Sequence, residues 1–201
     1  MREYYEVPRT GSLSNLIHKR SPIPALEREK VLVGVRAVGL NYADVFAVMG
    51  LYSATPRGTF TPGLEFAGEV LETASPLFRR GDRVMGVTRF GGYTSHIVAD
   101  PDYLMPLPAG WTFQEGAAFP VQTLTAYYAM KTLGDIRPGQ TVLIHSAAGG
   151  VGLQANRIAK KFSAYTIGVV GNPQKLPVLT TEEYDAGIVR DKHFEHKLKI
   201  A

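Results

Sequence analysis

The sequence contains no cysteine. That excludes disulfides, thiol nucleophiles and every zinc site built on thiolates. Long apolar runs are missing too: none approaches the roughly 18 residues that span a bilayer, and no signal-type apolar core follows Met1. The opening MREYYEVPR has acids within its first six residues, unlike an acid-poor transit peptide. Charge of one sign is not in large excess, with 22 Lys and Arg against 18 Asp and Glu for a net +4. The basic residues are spread along the chain, apart from Arg190, Lys192, Lys197 and Lys199. Neither nucleic acid nor stable membrane insertion is therefore expected, and the expected location is the cytoplasm. A module that uses the basic tail on RNA or anionic lipid is the remoter alternative. What is present, 21 Gly and 13 Pro in a chain that is 45% hydrophobic, is ordinary globular composition and excludes disorder, collagen and coiled coil.

The first half reads as β-rich. Val31–Ala37 is apolar and β-branched, and short runs of the same kind recur at Gly63–Leu71, Asp82–Thr88, Tyr93–Ala99 and Tyr103–Leu107. Gly and Pro punctuate them, which predicts a compact barrel-like unit. The pattern changes near Trp111. Thr112 and Glu115 have capping-box spacing and open a helix through Ala118, which Pro120 ends or kinks. A second helix is predicted over 121–133. Then strand, glycine-rich turn, helix and strand follow: Thr141–His145, a stripe of Val151, Ala155, Ile158 and Phe162, and Tyr165–Val170. That order is a βαβ unit with a parallel sheet. A third strand is expected at Gly187–Val189 and a helix start over His193–Ala201. A βαβ unit takes about 30 residues, so the chain after Gln140 holds two such units, and the domain is expected to stop partway.

The segment His145-Ser146-Ala147-Ala148-Gly149-Gly150-Val151-Gly152 lies between the first of these strands and its helix. Glycines there let backbone N–H groups approach a dinucleotide's diphosphate at the positive end of the helix. Ala148, Gly149, Gly150 and Val151 are the candidate contacts, and a ligand-free tight turn is the bland alternative. NAD binders place an Asp or Glu about 20 residues beyond the glycines. Here that place falls in Gly171-Asn172-Pro173-Gln174-Lys175, which has no carboxylate, while Lys175 is near and Arg190 follows the third strand. The missing acid and the nearby Lys175 and Arg190 thus favour NADPH and its 2′-phosphate, with Gly171 a further candidate cofactor contact and Lys175 as a solvated surface residue the alternative.

Several ordered segments carry a family resemblance: Val38-Gly39-Leu40-Asn41-Tyr42-Ala43-Asp44, Gly50-Leu51-Tyr52, Pro62-Gly63-Leu64-Glu65-Phe66-Ala67-Gly68, Gly81-Asp82-Arg83-Val84, Gly91-Gly92-Tyr93 and Ala147-Ala148-Gly149-Gly150-Val151-Gly152. Together they resemble the quinone oxidoreductase branch of the medium-chain dehydrogenase/reductases, and within it the zeta-crystallin-like and vesicle amine transport protein-like members. The resemblance implies an α/β chain with a GroES-like domain over 1–122 and the first part of a Rossmann NADP-binding domain over 123–201. It also implies a C-terminal truncation relative to family members, and a family-like homodimer whose interface would lie largely outside this chain. Zinc enzymes of the superfamily have Cys where this chain has Asn41 and His where it has Leu64. The implied reaction is zinc-independent hydride transfer from NADPH to a small-molecule quinone or α,β-unsaturated carbonyl.

By the same resemblance, Asn41 hydrogen-bonds near the nicotinamide or the acceptor oxygen, Tyr52 lines the substrate cleft, and Thr125 faces the nicotinamide side. The plain alternatives are that Asn41 and Asp44 cap a helix beginning near Tyr42 and that Tyr52 is a packing residue. Glu65 lies in an apolar stretch and is read as structural, paired with a buried cation. Tyr127, Tyr128 and Trp111 are read as core, and the five His show no metal-ligand spacing. Pro177 falls where the family has a helix, so it must occupy that helix's first turn or break it. A catalytically inactive nucleotide-binding or structural member of the same fold is the alternative to the enzyme.

Overall fold

The structure is a computed structural model that describes residues 1–200. The chain separates into two compact units, Met1–Val121 and the part beginning at Gln122. The first contains strands β1 (Arg2–Glu6), β2 (Ile17–Ser21), β3 (Val31–Val38), β4 (Glu65–Thr73), β5 (Arg83–Val87), β6 (His96–Ala99) and β7 (Leu104–Pro106). Helices α1 (Tyr42–Met49) and α2 (Phe113–Ala117) belong to it as well. Strands β3 to β7 form an antiparallel sheet in the order β6-β3-β4-β5-β7. The barrel-like expectation takes the form of an open sheet, since the edge strands β6 and β7 do not pair with each other. The ribbon of β1 and β2 joins the sheet region through bridges Tyr4–Thr94 and Val7–Phe60.

Alternation along β3 and β4 puts Val31, Val33, Phe66 and Val70 on one buried face with Val84, Ala99 and Leu104 from the neighbouring strands. On the other face, Ala67, Met85, Leu107 and Ala117 bring α2 onto the sheet. The capping box works as its spacing predicts: Thr112 Oγ1 accepts the Glu115 amide at 3.2 Å, and Glu115 Oε2 accepts the Thr112 amide at 2.7 Å. Trp111 meets Phe119 edge-to-face with centroids 5.0 Å apart, a packing role.

Helix α3 (Pro120–Tyr127) crosses the boundary between the units. Pro120 begins it rather than kinking a longer one, because proline suits the first helical position. The predicted single helix over 121–133 instead changes at Tyr128 into a π-helical segment running to Leu133. Tyr127 and Tyr128 are 48% and 56% exposed, so the core expectation for them is overturned.

The second unit has β8 (Thr141–His145), α4 (Gly150–Lys161), β9 (Tyr165–Val170), α5 (Leu176–Thr181), β10 (Ala186–Val189) and α6 (Phe194–Ile200). The strands are parallel in the order β10-β9-β8, as the strand–turn–helix–strand order predicts. The expected helix start over His193–Ala201 is α6, with its last residue outside those described. Pro177 lies in the first turn of α5. Of the predicted stripe on α4, Ala155 is buried and Ile158 and Phe162 pack against the core, while Val151 is 43% exposed and Gly152, Asn156 and Ala159 complete the buried face.

Candidate functional site

In the first unit, Asn41 is the N-cap of α1, with extended φ −121° and ψ 149°. Asp44, one turn on, accepts the Asn41 backbone N–H at 2.9 Å and the Tyr93 hydroxyl at 3.0 Å through the same Oδ2. The helix-capping alternative therefore describes the backbone here. The Asn41 side chain points elsewhere: its Nδ2 donates to Glu65 Oε1 at 2.8 Å. Glu65 opens β4 and is fully buried, and its Oε2 accepts the Val121 amide at 2.8 Å.

Burial raises the Glu65 carboxyl above its ordinary value, against the Val121 and Asn41 hydrogen bonds and with help from the Asp44 charge. Burial likewise raises Asp44, opposed by donors from Asn41, Tyr93 and Gly63. The Tyr93 phenol is pushed upward by burial and then by the Asp44 charge. The expected buried cation beside Glu65 is overturned. Amide N–H groups take both oxygens: the Asn41 side chain donates to Oε1, and the Val121 backbone N–H, without an intrahelical acceptor in the first turn of α3, donates to Oε2.

Tyr52 sits apart from this cluster. It packs on Val7, Ala47, Val48 and Phe60, and its carbonyl accepts the Thr55 amide at 3.0 Å. It also lines a cavity of about 570 Å³ together with Arg9, Thr10, Ser53 and Arg57, with neither Asn41 nor Glu65 in the wall. The packing alternative therefore describes Tyr52 here.

In the second unit, β8 ends at His145 and Ser146 takes a left-handed φ of +52°. That turns the chain so that Ala147 is fully buried and Gly149 caps α4. The Gly149 amide closes on Ser146 O at 2.8 Å, and the Ala147 amide donates to Val169 O at 3.0 Å. Gly150 and Val151 open the helix, so their N–H groups have no intrahelical acceptor. Gly152 is required for packing: a Cβ there would lie 2.6 Å from Ser146 O and 2.8 Å from Ala147 Cα. A Cβ on Gly150 would meet Gln122 Oε1 at 2.1 Å, so Gln122 borders the loop, a neighbour with no sequence signal of its own.

Beyond β9, Gly171 faces open space, with nothing within 4 Å of an added Cβ. Asn172 spends its Oδ1 on the Gln174 amide at 2.9 Å, capping the turn that ends at Lys175. Lys175 and Arg190 are exposed and, among the described residues, have no carboxylate partner. Arg190 is fixed through its backbone, the amide donating to Val170 O at 2.8 Å. These residues cluster at the C-terminal ends of parallel strands, where ligands of such sheets bind. Thr125 is exposed on α3.

The turn after α5 is a further neighbour missed in the sequence. Tyr184 donates its hydroxyl toward Gly152 O (2.8 Å) and Ala147 O (3.0 Å), and burial raises its pKa. Among the described residues no three His, Asp or Glu side chains converge as a metal site, and no helix is long and apolar enough to cross a membrane.

Residues 27–109 match the alcohol dehydrogenase GroES-like domain. Over 159 residues the chain is 36% identical to the synaptic vesicle membrane protein VAT-1 homolog of Danio rerio, covering 78% of this chain and 33% of that protein. Over 155 residues it is 37% identical to the quinone oxidoreductase of Lama guanicoe, covering 76% and 47%. It superposes on the crystal structure of Escherichia coli quinone oxidoreductase complexed with NADPH with a TM-score of 0.88 and 30% identity, covering 98% of this chain and 62% of that one. The chain thus spans a third to about half of the length of these curated relatives.

Proposed function

Because the chain belongs to the quinone oxidoreductase branch of the medium-chain dehydrogenase/reductases, we propose that it is an NADPH-dependent oxidoreductase acting on a quinone or α,β-unsaturated carbonyl without zinc. The observation that carries this reading is the cradle on the second unit. The Gly150 and Val151 amides have no intrahelical acceptor, a Gly at the end of β9 opens onto free space, and Lys175 and Arg190, without carboxylate partners among the described residues, follow β9 and β10. These features fit the group. The amides of Ala148, Gly150 and Val151 would hold the diphosphate, Gly149, whose own amide is spent on Ser146 O, would admit it by lacking a side chain, Gly171 would let the ribose approach, and Lys175 and Arg190 would pair with a 2′-phosphate. Asn172 carries no charge and already gives one lone pair of its oxygen to the Gln174 amide, so it is a weaker acceptor for ribose hydroxyls than the carboxylate of an NAD site.

The reduced nicotinamide supplies the hydride when bound. On the protein side, Glu65 fixes the Asn41 amide by taking one Nδ2 hydrogen, which leaves the other hydrogen and Oδ1 for nicotinamide or acceptor. A fixed donor of this kind stabilises oxyanion charge as it develops on the acceptor. Thr125 is assigned to the nicotinamide side, while Tyr52, in a cavity whose wall lacks Asn41, is left out of this arrangement.

Thermal melts with NADPH and, separately, NADH test the reading. A saturable upward shift with NADPH and a smaller one with NADH supports it. Absence of a shift with either would overturn it. Quinone-dependent oxidation of NADPH is the second measurement.

A further inference from the structure

Tyr184 is held in place by more contacts than a filler of the core requires. Helix α5 ends in a Schellman motif: the Tyr184 amide donates to Leu179 O at 3.0 Å and the Glu183 amide to Thr180 O at 3.1 Å, with Glu183 at φ +57°. The turn that follows is fastened to α4. Asn156 Nδ2 donates to Glu182 O at 2.5 Å, Arg157 pairs with Glu182 at 2.8 Å, and Lys160 pairs with Asp185 at 2.6 Å. The ring lies over Gly168 of β9, where an added Cβ would be 2.8 Å from Tyr184 Cδ1.

From that fixed place the hydroxyl reaches two carbonyls of the glycine segment, Ala147 O and Gly152 O. One proton is shared between them. Gly152 O is an ordinary helical carbonyl, but Ala147 O precedes the helix. In a trans peptide the carbonyl and the following N–H point in opposite directions. Anchoring Ala147 O inward therefore turns the Ala148 N–H outward, and the Ala147 amide, bound to Val169 O, fixes the preceding peptide as well.

We propose that Tyr184 is a positioning residue for the nucleotide loop: its hydroxyl fixes the Ala147–Ala148 peptide so that the Ala148 N–H joins the first-turn amides of α4 in facing a diphosphate. This rests on the reading of the loop as an NADPH cradle. The phenol touches no ligand and acts through the backbone, so it governs the diphosphate end of the cofactor and not the 2′-phosphate end.

The test is Tyr184→Phe, which keeps the ring and removes the hydroxyl. Two ligands are titrated by NMR: NADPH, and adenosine 2′-monophosphate, which has the 2′-phosphate but no diphosphate. The expected result is about tenfold weaker NADPH binding with adenosine 2′-monophosphate unchanged. In the nucleotide-free protein, the Ala148 amide signal should shift and its hydrogen exchange should change relative to wild type. Leu179→Val, against the same ring, controls for lost packing with the hydroxyl intact and should leave the NADPH affinity alone. Gly168→Ala, which displaces the ring, should weaken NADPH binding in the same selective way. Equal losses for both ligands in Tyr184→Phe, or an unchanged NADPH affinity and Ala148 signal, would overturn the proposal. Wild-type protein that binds no NADPH would overturn the cradle itself, a result distinguishable from failure of the tyrosine alone.

Discussion

One carboxylate, Glu65, joins the Asn41 side chain to the Val121 amide, 2.8 Å from each. It is fully buried with no cation beside it among the described residues, so two amide donors offset the cost of desolvating it. Because burial raises its pKa, the folded chain holds the Glu65 proton more tightly than the unfolded chain. Stability from this group is complete below the ordinary value of 4.5 and is lost as pH rises through the raised folded value. Asp44 acts with the same sign. In Glu65→Gln the Glu65 part is gone, so the stability of wild type relative to the variant should decline from about pH 4.5 upward. Urea titrations across that range check it, and a difference that grows with pH would refute it.

Gly171→Ala separates folding from binding. An added Cβ meets nothing within 4 Å, so the melting temperature should stay within about 2 °C of wild type. The methyl occupies space assigned to the ribose, and NADPH affinity should fall roughly tenfold. Gly152→Ala should behave oppositely, destabilising the unit by about 1–3 kcal/mol through its contact with the Ser146 carbonyl.

Lys175→Ala and Arg190→Ala should each weaken NADPH by roughly tenfold and leave NADH nearly unchanged, since only the 2′-phosphate distinguishes the two. Isothermal titration with both nucleotides decides it. Parallel losses for both would assign the cations to another role.

Glu183 adopts φ +57°, the conformation that a helix-ending glycine takes without strain. Glu183→Gly should stabilise the protein by about 1 kcal/mol, net of the extra chain entropy of glycine, and raise the melting temperature. A lower melting temperature would show that the Glu183 side chain contributes more than its backbone costs.

The strands β3 to β7 were legible because β-branched runs alternate between Gly and Pro signals. Strands β1 and β2 were not: Arg2–Glu6 and Ile17–Ser21 are rich in charge, and the ribbon they form is largely exposed. The glycine loop, Lys175 and Arg190 could be found by counting from β8, since a local motif fixes their order. The partners of Glu65 could not, because its donors come from residues 24 and 56 positions away. The misplacement of Val151 at the start of the α4 stripe has a similar origin. Spacing alone favours Val151, but the turn at Ser146 rotates the helix so that Gly152 and Asn156 face inward.

The Tyr184 hydroxyl lies 37 residues from the Ala147 carbonyl it anchors. The glycine motif therefore does not contain the instructions for its own shape. During synthesis the strand, loop and helix emerge well before the phenol that orients them, and at ribosomal rates of about 5–20 residues per second the delay is a few seconds. In that interval the nascent segment has the wording of the proposed nucleotide site without its form. A peptide cut to Thr141–Lys161 would be in the same state permanently.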